Sequence, residues 1–316
     1  MEISIIKFGG TALATPCEQQ KVINVIKKYK QKLIIICSAM GRDGFSYSTN
    51  DLQKLVNVEQ ISLKEIDRLL SCGEIISSIR LSSLLNKNGI RTYALSHKEI
   101  GIICDNNYGN GNVINNLPIN KWLEVYDVIV VPGFIGLSKE EEIITLGRGN
   151  SDYSALLMAK KFNLENVILY KDVSGVSHTP PKLNTKMIWY EKISYDEMIA
   201  LEKIGINIVS KKALECAKEN RVNIHIKNYN NDEYGTLISN IPSNDLIIGF
   251  NIVKKIILIA TFQANKVKKI LFDKLNKIHI FAQNIKMDEN VLSFEVSKSV
   301  INNVRKIIME EIELNN

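Results

Sequence analysis

Residues 3–11 read ISIIKFGGT, a helix signal follows at Thr15-Pro16-Cys17-Glu18, and a second apolar run, LIIIC, occupies 33–37. An apolar β-branched run that enters two glycines, then a helix, then another apolar run is a βαβ unit. It commits the chain to parallel strands joined by a crossover helix. Thr15 to Glu18 has the spacing of a capping box with proline at the first helical position, which predicts a helix over 16–30. Ser62-Leu63-Lys64-Glu65 and Ser194-Tyr195-Asp196-Glu197 open two further helices in the same way. LIIIC and VIVV (128–131) lack polar alternation, as expected of strands buried on both faces of a sheet. The fold class is α/β, an open and mostly parallel sheet sandwiched by helices.

Gly9 and Gly10 remove the Cβ atoms that would hold a phosphate away from the backbone, and they permit positive φ angles that turn successive N–H groups toward one anion. Lys7 adds a point charge for a phosphoryl group. A plain strand-to-loop turn would carry the same glycines, and the motif alone does not separate the two readings.

Composition narrows the class without choosing a function. The chain has 316 residues, enough for one large core and a small appendage. Its 40 Lys and Arg against 34 Asp and Glu leave +6, but the basic residues are dispersed, so no nucleic-acid footprint is expected. Five cysteines (17, 37, 72, 104 and 216) form no CxxC pair and read as reduced thiols of a cytoplasmic protein. No secretory core precedes Lys7, and no apolar run approaches a membrane span. His97, His178, His225 and His279 fit neither a metal cluster nor a triad, so no metal-binding side chains are expected.

Five further segments keep a telling order after KFGG: SAMGRDGFSYSTNDL (38–52), SCGEIISS (71–78), VPGFIG (131–136), TLGRGNSDYSA (145–155) and YKDVSGV (170–176). Together they resemble the aspartate kinases of the amino-acid kinase family over residues 1 to about 240, and most closely the diaminopimelate-sensitive type of spore-forming bacteria. The resemblance implies the amino-acid kinase fold in a catalytic domain over 1–245. It also implies transfer of the ATP γ-phosphate to the side-chain carboxylate of L-aspartate, with Mg²⁺ carried mainly by the phosphates.

By the same resemblance Lys7 and Asp152 are catalytic, with Asp152 orienting Lys7. Lys7, Phe8, Gly9, Gly10, Lys171, Asp172, Lys182 and Asn207 face the nucleotide. Thr49, Glu74, Arg148 and Ser151 face L-aspartate, Glu74 taking the α-ammonium. Arg148 suits the α-carboxylate because a guanidinium offers a bidentate fork, and Gly147 and Gly149 let it lie close. Bland readings stand beside these. Ser71-x-x-Glu74 is also a capping-box pattern, Asp152 is also a natural N-cap, and Asp172 before Gly175 is ordinary turn chemistry.

Several positions depart from the family pattern. Ala12 replaces a serine, Asn150 the second glycine of GRGG (Asn tolerates the left-handed region), and Lys171 a threonine. HTPPK brings Pro180 and Lys182 where an acid and an arginine are usual, and Asn207 replaces a lysine. Lys211, Lys212 or Lys171 could compensate for that lost charge. A degenerate paralogue that binds without catalysis, or a kinase of another carboxylate such as glutamate, are the alternatives.

Beyond residue 245 the pattern spells βαββα: KKIILIATF, a helix near 264–276, KIHIFAQNI, NVLSFEVS and a helix near 299–312. This resembles a single incomplete ACT-like module over 246–316, without a last strand or a second module. Its first strand exit, TFQANKV, lacks the glycine an effector would need, so feedback control is not expected. An open strand edge predicts a homodimer through this module.

Overall fold

The computed structural model describes residues 2–42, 44–183 and 186–315, without the side chains of 232–234 and 315. In chain order the elements are β1 (Ile3–Phe8), α1 (Gly10–Leu13), α2 (Pro16–Ile26), β2 (Lys32–Cys37), α3 (Thr49–Gln53), α4 (Leu63–Lys87), β3 (Thr92–Ala94), β4 (Ile102–Cys104), β5 (Val113–Asn116), α5 (Asn120–Val125), β6 (Val128–Pro132), β7 (Ile135–Leu137), β8 (Ile143–Thr145), α6 (Ser151–Phe162) and β9 (Asn166–Lys171). There follow β10 (Lys192–Ser194), α7 (Tyr195–Lys203), α8 (Lys211–Asn220), β11 (Asn223–Asn228), β12 (Asn231–Ser239), β13 (Gly249–Val253), β14 (Ile256–Ala260), α9 (Ala264–Lys277), β15 (Gln283–Asp288), β16 (Val291–Glu295) and α10 (Ile301–Asn315). Two compact units emerge, residues 1–174 with 215–235, and residues 175–214 with 236–316.

In the first unit β11-β9-β1-β2-β6-β3 form a sheet whose neighbouring pairs are all parallel. β1 lies between β9 and β2, with Lys7 beside Leu169 and Ile36. The central strands are apolar on both faces: Ile34, Ile35, Ile36, Val130 and Val131 are fully buried. A smaller sheet, β5-β4-β7-β8, ends in the β7–β8 hairpin.

Local signals behave unevenly. Ser62 and Ser194 make complete capping boxes with Glu65 and Glu197. Thr15 accepts from Glu18 N, but the Glu18 carboxylate is drawn to Lys21, so only half of that box forms. Helix α2 ends at Ile26 rather than 30, because Lys28 and Tyr29 donate three residues back, to Val25 and Ile26, and tighten the last turn.

The second unit holds an antiparallel sheet in the order β13-β14-β16-β15. Residues of these strands share one core with α9 and α10, including Phe250, Ile257, Phe294, Leu271 and Ile308. Two expectations fail here. A strand not foreseen, β13, occupies the edge beside β14, so the module reads ββαββα. KIHIF is no strand either: α9 ends at Lys277 with Ile278 as its C-cap and His279 left-handed (φ 58°), while the N–H groups of His279 and Ile280 return to Asn276 and Leu275. That is a Schellman closure, and it buries Ile280 against its own helix. Its apolar alternation imitated a strand, and β15 starts only at Gln283.

Among the described residues no helix is long and apolar enough to cross a membrane.

Candidate active site

The carboxyl ends of β1, β2 and β9 converge on the turn that begins at Gly9. Neither Gly9 (φ −72°) nor Gly10 has a positive φ, contrary to expectation. Gly10 is required by crowding instead. A Cβ there would lie 2.3 Å from Ala39 O and 2.6 Å from Gly41 O, whereas one on Gly9 would meet nothing within 4 Å. One glycine thus lets two backbone segments touch, and the other leaves open space above the strand end. Phe8 is fully buried and stacks on Tyr170 with ring centroids 5.0 Å apart, so its side chain belongs to the core.

Lys7 Nζ stands 2.8 Å from Asp152 Oδ1, and Lys171 Nζ donates to Oδ2 at 2.6 Å. Asp152 is only 3 % exposed. It is not the helix cap: Asn150 holds that place with φ −89°, so its left-handed tolerance is unused, and Asp152 turns inward from the first turn of α6. Burial disfavours its charge, but Lys171 and Lys7 outweigh that and hold the carboxyl at about 2. Burial in turn brings the Lys171 ammonium down to about 8 against the pull of Asp152. Two ammonium groups around one carboxylate leave a net positive pocket suited to an anion.

Beside this cluster lies a cavity of about 140 Å³ lined by Gly10, Ser38, Ala39, Gly41, Thr49, Glu74, Phe134, Arg148, Gly149 and Ser151. It is well below the ~300–1,000 Å³ of drug-sized pockets, and so suits one small polar molecule. The substrate-facing residues expected from the sequence, Thr49, Glu74, Arg148 and Ser151, therefore lie together. Glu74 sits in the middle of α4, which rules out a capping role for Ser71-x-x-Glu74. Its Oε1 accepts from Ala39 N at 3.0 Å, while Oε2 is buried without a hydrogen-bond partner. Burial pushes the Glu74 carboxyl well above the usual range. Such an oxygen is unsatisfied until a cation arrives.

Arg148 projects from a turn whose flanking glycines are both left-handed, Gly147 at φ 98° and Gly149 at φ 76°. Its guanidinium donates to Gln53 Oε1 at 2.6 Å and to Asn50 Oδ1. Amide oxygens orient it without neutralising it. Ser151 accepts from Ser38 Oγ at 3.0 Å. Asp172 is taken by Arg42, 2.7 Å away.

Lys182, in a single 3-10 turn at Pro181–Leu183, and Asn207, following Gly205, belong to the second compact unit, where both are exposed. Arg42, Asn50 and Gln53 went unnoticed in the sequence because each acts on a partner at least 95 residues away. Among the described residues no group of three or more His, Cys, Asp or Glu could hold a metal.

The profile of the Amino acid kinase family matches residues 2–228. The chain belongs to the amino acid kinase family. It is 31% identical over 264 residues to Aspartokinase 1 of Bacillus subtilis, covering 81% of this chain and 65% of that one. With the Aspartokinase of Geobacillus stearothermophilus it shares 32% over 247 residues, 75% of this chain and 59% of the relative. The chain thus spans less than two thirds of the length of these curated relatives. Among solved structures, E. coli aspartokinase III in complex with aspartate and ADP superposes with a TM-score of 0.69 at 18% identity, covering 96% of this chain and 83% of the other. At that identity the likeness speaks for the amino acid kinase fold.

Proposed function

We propose that this chain is an ATP-dependent aspartate kinase of the cytoplasm. It would transfer the terminal phosphoryl group of ATP to the side-chain carboxylate of L-aspartate, giving 4-phospho-L-aspartate, the first step toward lysine, threonine and methionine. The observation that carries this reading is the cavity that presents the unpartnered Glu74 Oε2 and the un-neutralised Arg148 guanidinium together. An amino acid needs partners for both α-groups, and these supply a carboxyl that would ionise as the α-ammonium binds and a cation for the α-carboxylate. Thr49 and Ser151 would complete the aspartate pocket.

Lys7 and Lys171 would take the phosphoryl oxygens, with Asp152 holding both ammonium groups in place. The open space above Gly9 and the surplus positive charge fit a triphosphate. Phe8 contributes backbone alone, while Gly10 gives the turn its closeness. Asp172 remains assigned to the nucleotide. Mg²⁺ would ride on the phosphates and supply further charge neutralisation. A carboxylate oxygen attacks phosphorus as the bond to ADP breaks. The acceptor is already ionised, so no proton has to be removed and positioning with charge stabilisation does the catalysis.

The test is hydroxylamine trapping with Mg-ATP and either L-aspartate or L-glutamate, beside Lys7→Ala. Aspartyl hydroxamate from the wild type with L-aspartate, at a rate about a hundred- to a thousandfold above that of Lys7→Ala, is expected. Glutamyl hydroxamate would reassign the acceptor, and no product despite calorimetric ATP binding would indicate a binding paralogue.

Residues 1–245 would form the catalytic domain and 246–316 the ACT-like module, a division supported by a core whose buried members run from Leu246 to Ile312, with the partly buried Leu183 and Ile188 packed against it. Its edge strand β15 is exposed throughout and carries Ile285 and Met287, a surface suited to a second copy. Light scattering should report a dimer that Ile285→Lys with Met287→Lys converts to monomer; persistence of the dimer would remove β15 from the interface.

A further inference from the structure

A buried carboxylate that does not line the pocket lies on the helix that carries Glu74. Asp67 lies on α4 seven residues before Glu74, which returns it to within about 20° of the same helix face, about 10 Å along the axis. It is fully buried. Its Oδ1 accepts from Thr145 Oγ1 at 2.6 Å, and its Oδ2 from Thr145 N at 3.0 Å and Gly109 N at 2.8 Å. Thr145 ends β8, and only Leu146 and Gly147 separate it from Arg148. Leu146 N is itself fixed on Phe134 O at 2.8 Å, and Gly147 turns the chain. The loop held through Gly109 backs the same turn, since a Cβ on Gly147 would come within 2.9 Å of Asn110 Oδ1. One carboxylate therefore ties down both the strand that delivers Arg148 and the loop behind it. It does so from the helix that carries Glu74.

We infer that Asp67 is a positioning residue of the amino-acid pocket, setting Arg148 opposite Glu74 at the spacing of an α-ammonium and an α-carboxylate. This rests on the proposed reading of the cavity as an amino-acid site. It adds a residue that touches neither substrate nor phosphate. A rigid helix is a better ruler than a loop, because the separation of two recognition groups then depends on hydrogen bonds that substrate binding does not break.

The test is Asp67→Asn in the full chain, with Thr145→Val as a milder variant that removes one of the three hydrogen bonds. Asparagine keeps the shape and can still take both N–H groups on its Oδ1 while its Nδ2 turns to donate to Thr145 Oγ1, but it replaces three charge-assisted hydrogen bonds with weaker neutral ones. In the hydroxylamine assay KM for L-aspartate should rise about tenfold or more while KM for ATP stays within about twofold, since misplacement by an ångström is costly. In an Arg148→Ala background, Asp67→Asn should add less than about twofold, the non-additivity expected of residues that act through one another. Equal rises in both KM values, or full additivity, would overturn the inference. Amide hydrogen exchange reads the tether without any substrate and stays informative even were the kinase reading to fail. Faster exchange at 146–149 in Asp67→Asn is expected, and unchanged exchange there would sink the proposal.

Discussion

Replacing Glu74 with Gln should raise the thermal stability of the ligand-free protein at neutral pH while weakening L-aspartate binding by an order of a hundredfold, the scale of losing a buried charge partner. Burial raises the Glu74 carboxyl above its ordinary value, so the folded state keeps a proton that the unfolded chain has released. The associated stability is full below the unfolded value near 4.5 and is lost as pH rises through the folded one. The Glu74→Gln variant, with no proton to lose there, has no such dependence. The gap in melting temperature between variant and wild type should therefore widen from acid to neutral pH and narrow when L-aspartate is added, because only the wild type gains an ammonium partner. Calorimetric melts at several pH values, with titration of L-aspartate, check both halves. A variant less stable than wild type at pH 7 would mean that Glu74 Oε2 is already compensated. The expected exchange of stability for binding is common where a site is held ready for a charge.

Asp152→Ala should be costly in both respects. It leaves Lys7 and Lys171 buried with no shared carboxylate, and breaking a buried pair from one side typically costs about 3–5 kcal/mol. Turnover should fall by a hundredfold or more, on the order of losing one well-placed stabilising group. The acid side follows from the same contact. The Asp152 carboxyl is held at about 2, below its unfolded value of 3.8, so its contribution is complete above 3.8 and disappears as pH falls through about 2. The decisive comparison adds Lys171→Met. Removing one of the two orphaned cations should restore part of the lost stability in urea melts without restoring hydroxamate formation. Strict additivity of the two substitutions would show that Lys171 and Asp152 are energetically independent, contrary to their 2.6 Å contact.

What was readable from the chain depended on range. The opening βαβ unit and the capping boxes at Ser62 and Ser194 are written in neighbouring residues, and both boxes formed as spaced. Thr15 failed halfway because Glu18 found Lys21 one turn on. KIHIF misled because Ile278 and Ile280 alternate as they would in a strand, whereas the Schellman closure buries Ile280 and leaves Ile278 exposed, with the left-handed His279 between them. The second-unit strand β13 was invisible because GFNIV is short, begins with glycine and has no turn chemistry of its own.

The candidate site divides along the same line. Periodicity, capping and the ordered motifs by themselves determined the parallel α/β framework, the strand-to-turn setting of Lys7 and the residue types a small amino acid would need, because each is a property of a few consecutive side chains. Tertiary structure alone decided that Gly10 is required by the carbonyls of Ala39 and Gly41 rather than by a positive φ. It alone put Lys171 on the carboxylate that Lys7 uses, and hung the Arg148 turn from Asp67, 78 residues before Thr145. Those outcomes depend on which buried polar groups find one another across the sheet. In a close-packed, water-poor interior most such groups are satisfied by whatever the fold brings within about 3 Å, and no local pattern names that partner in advance.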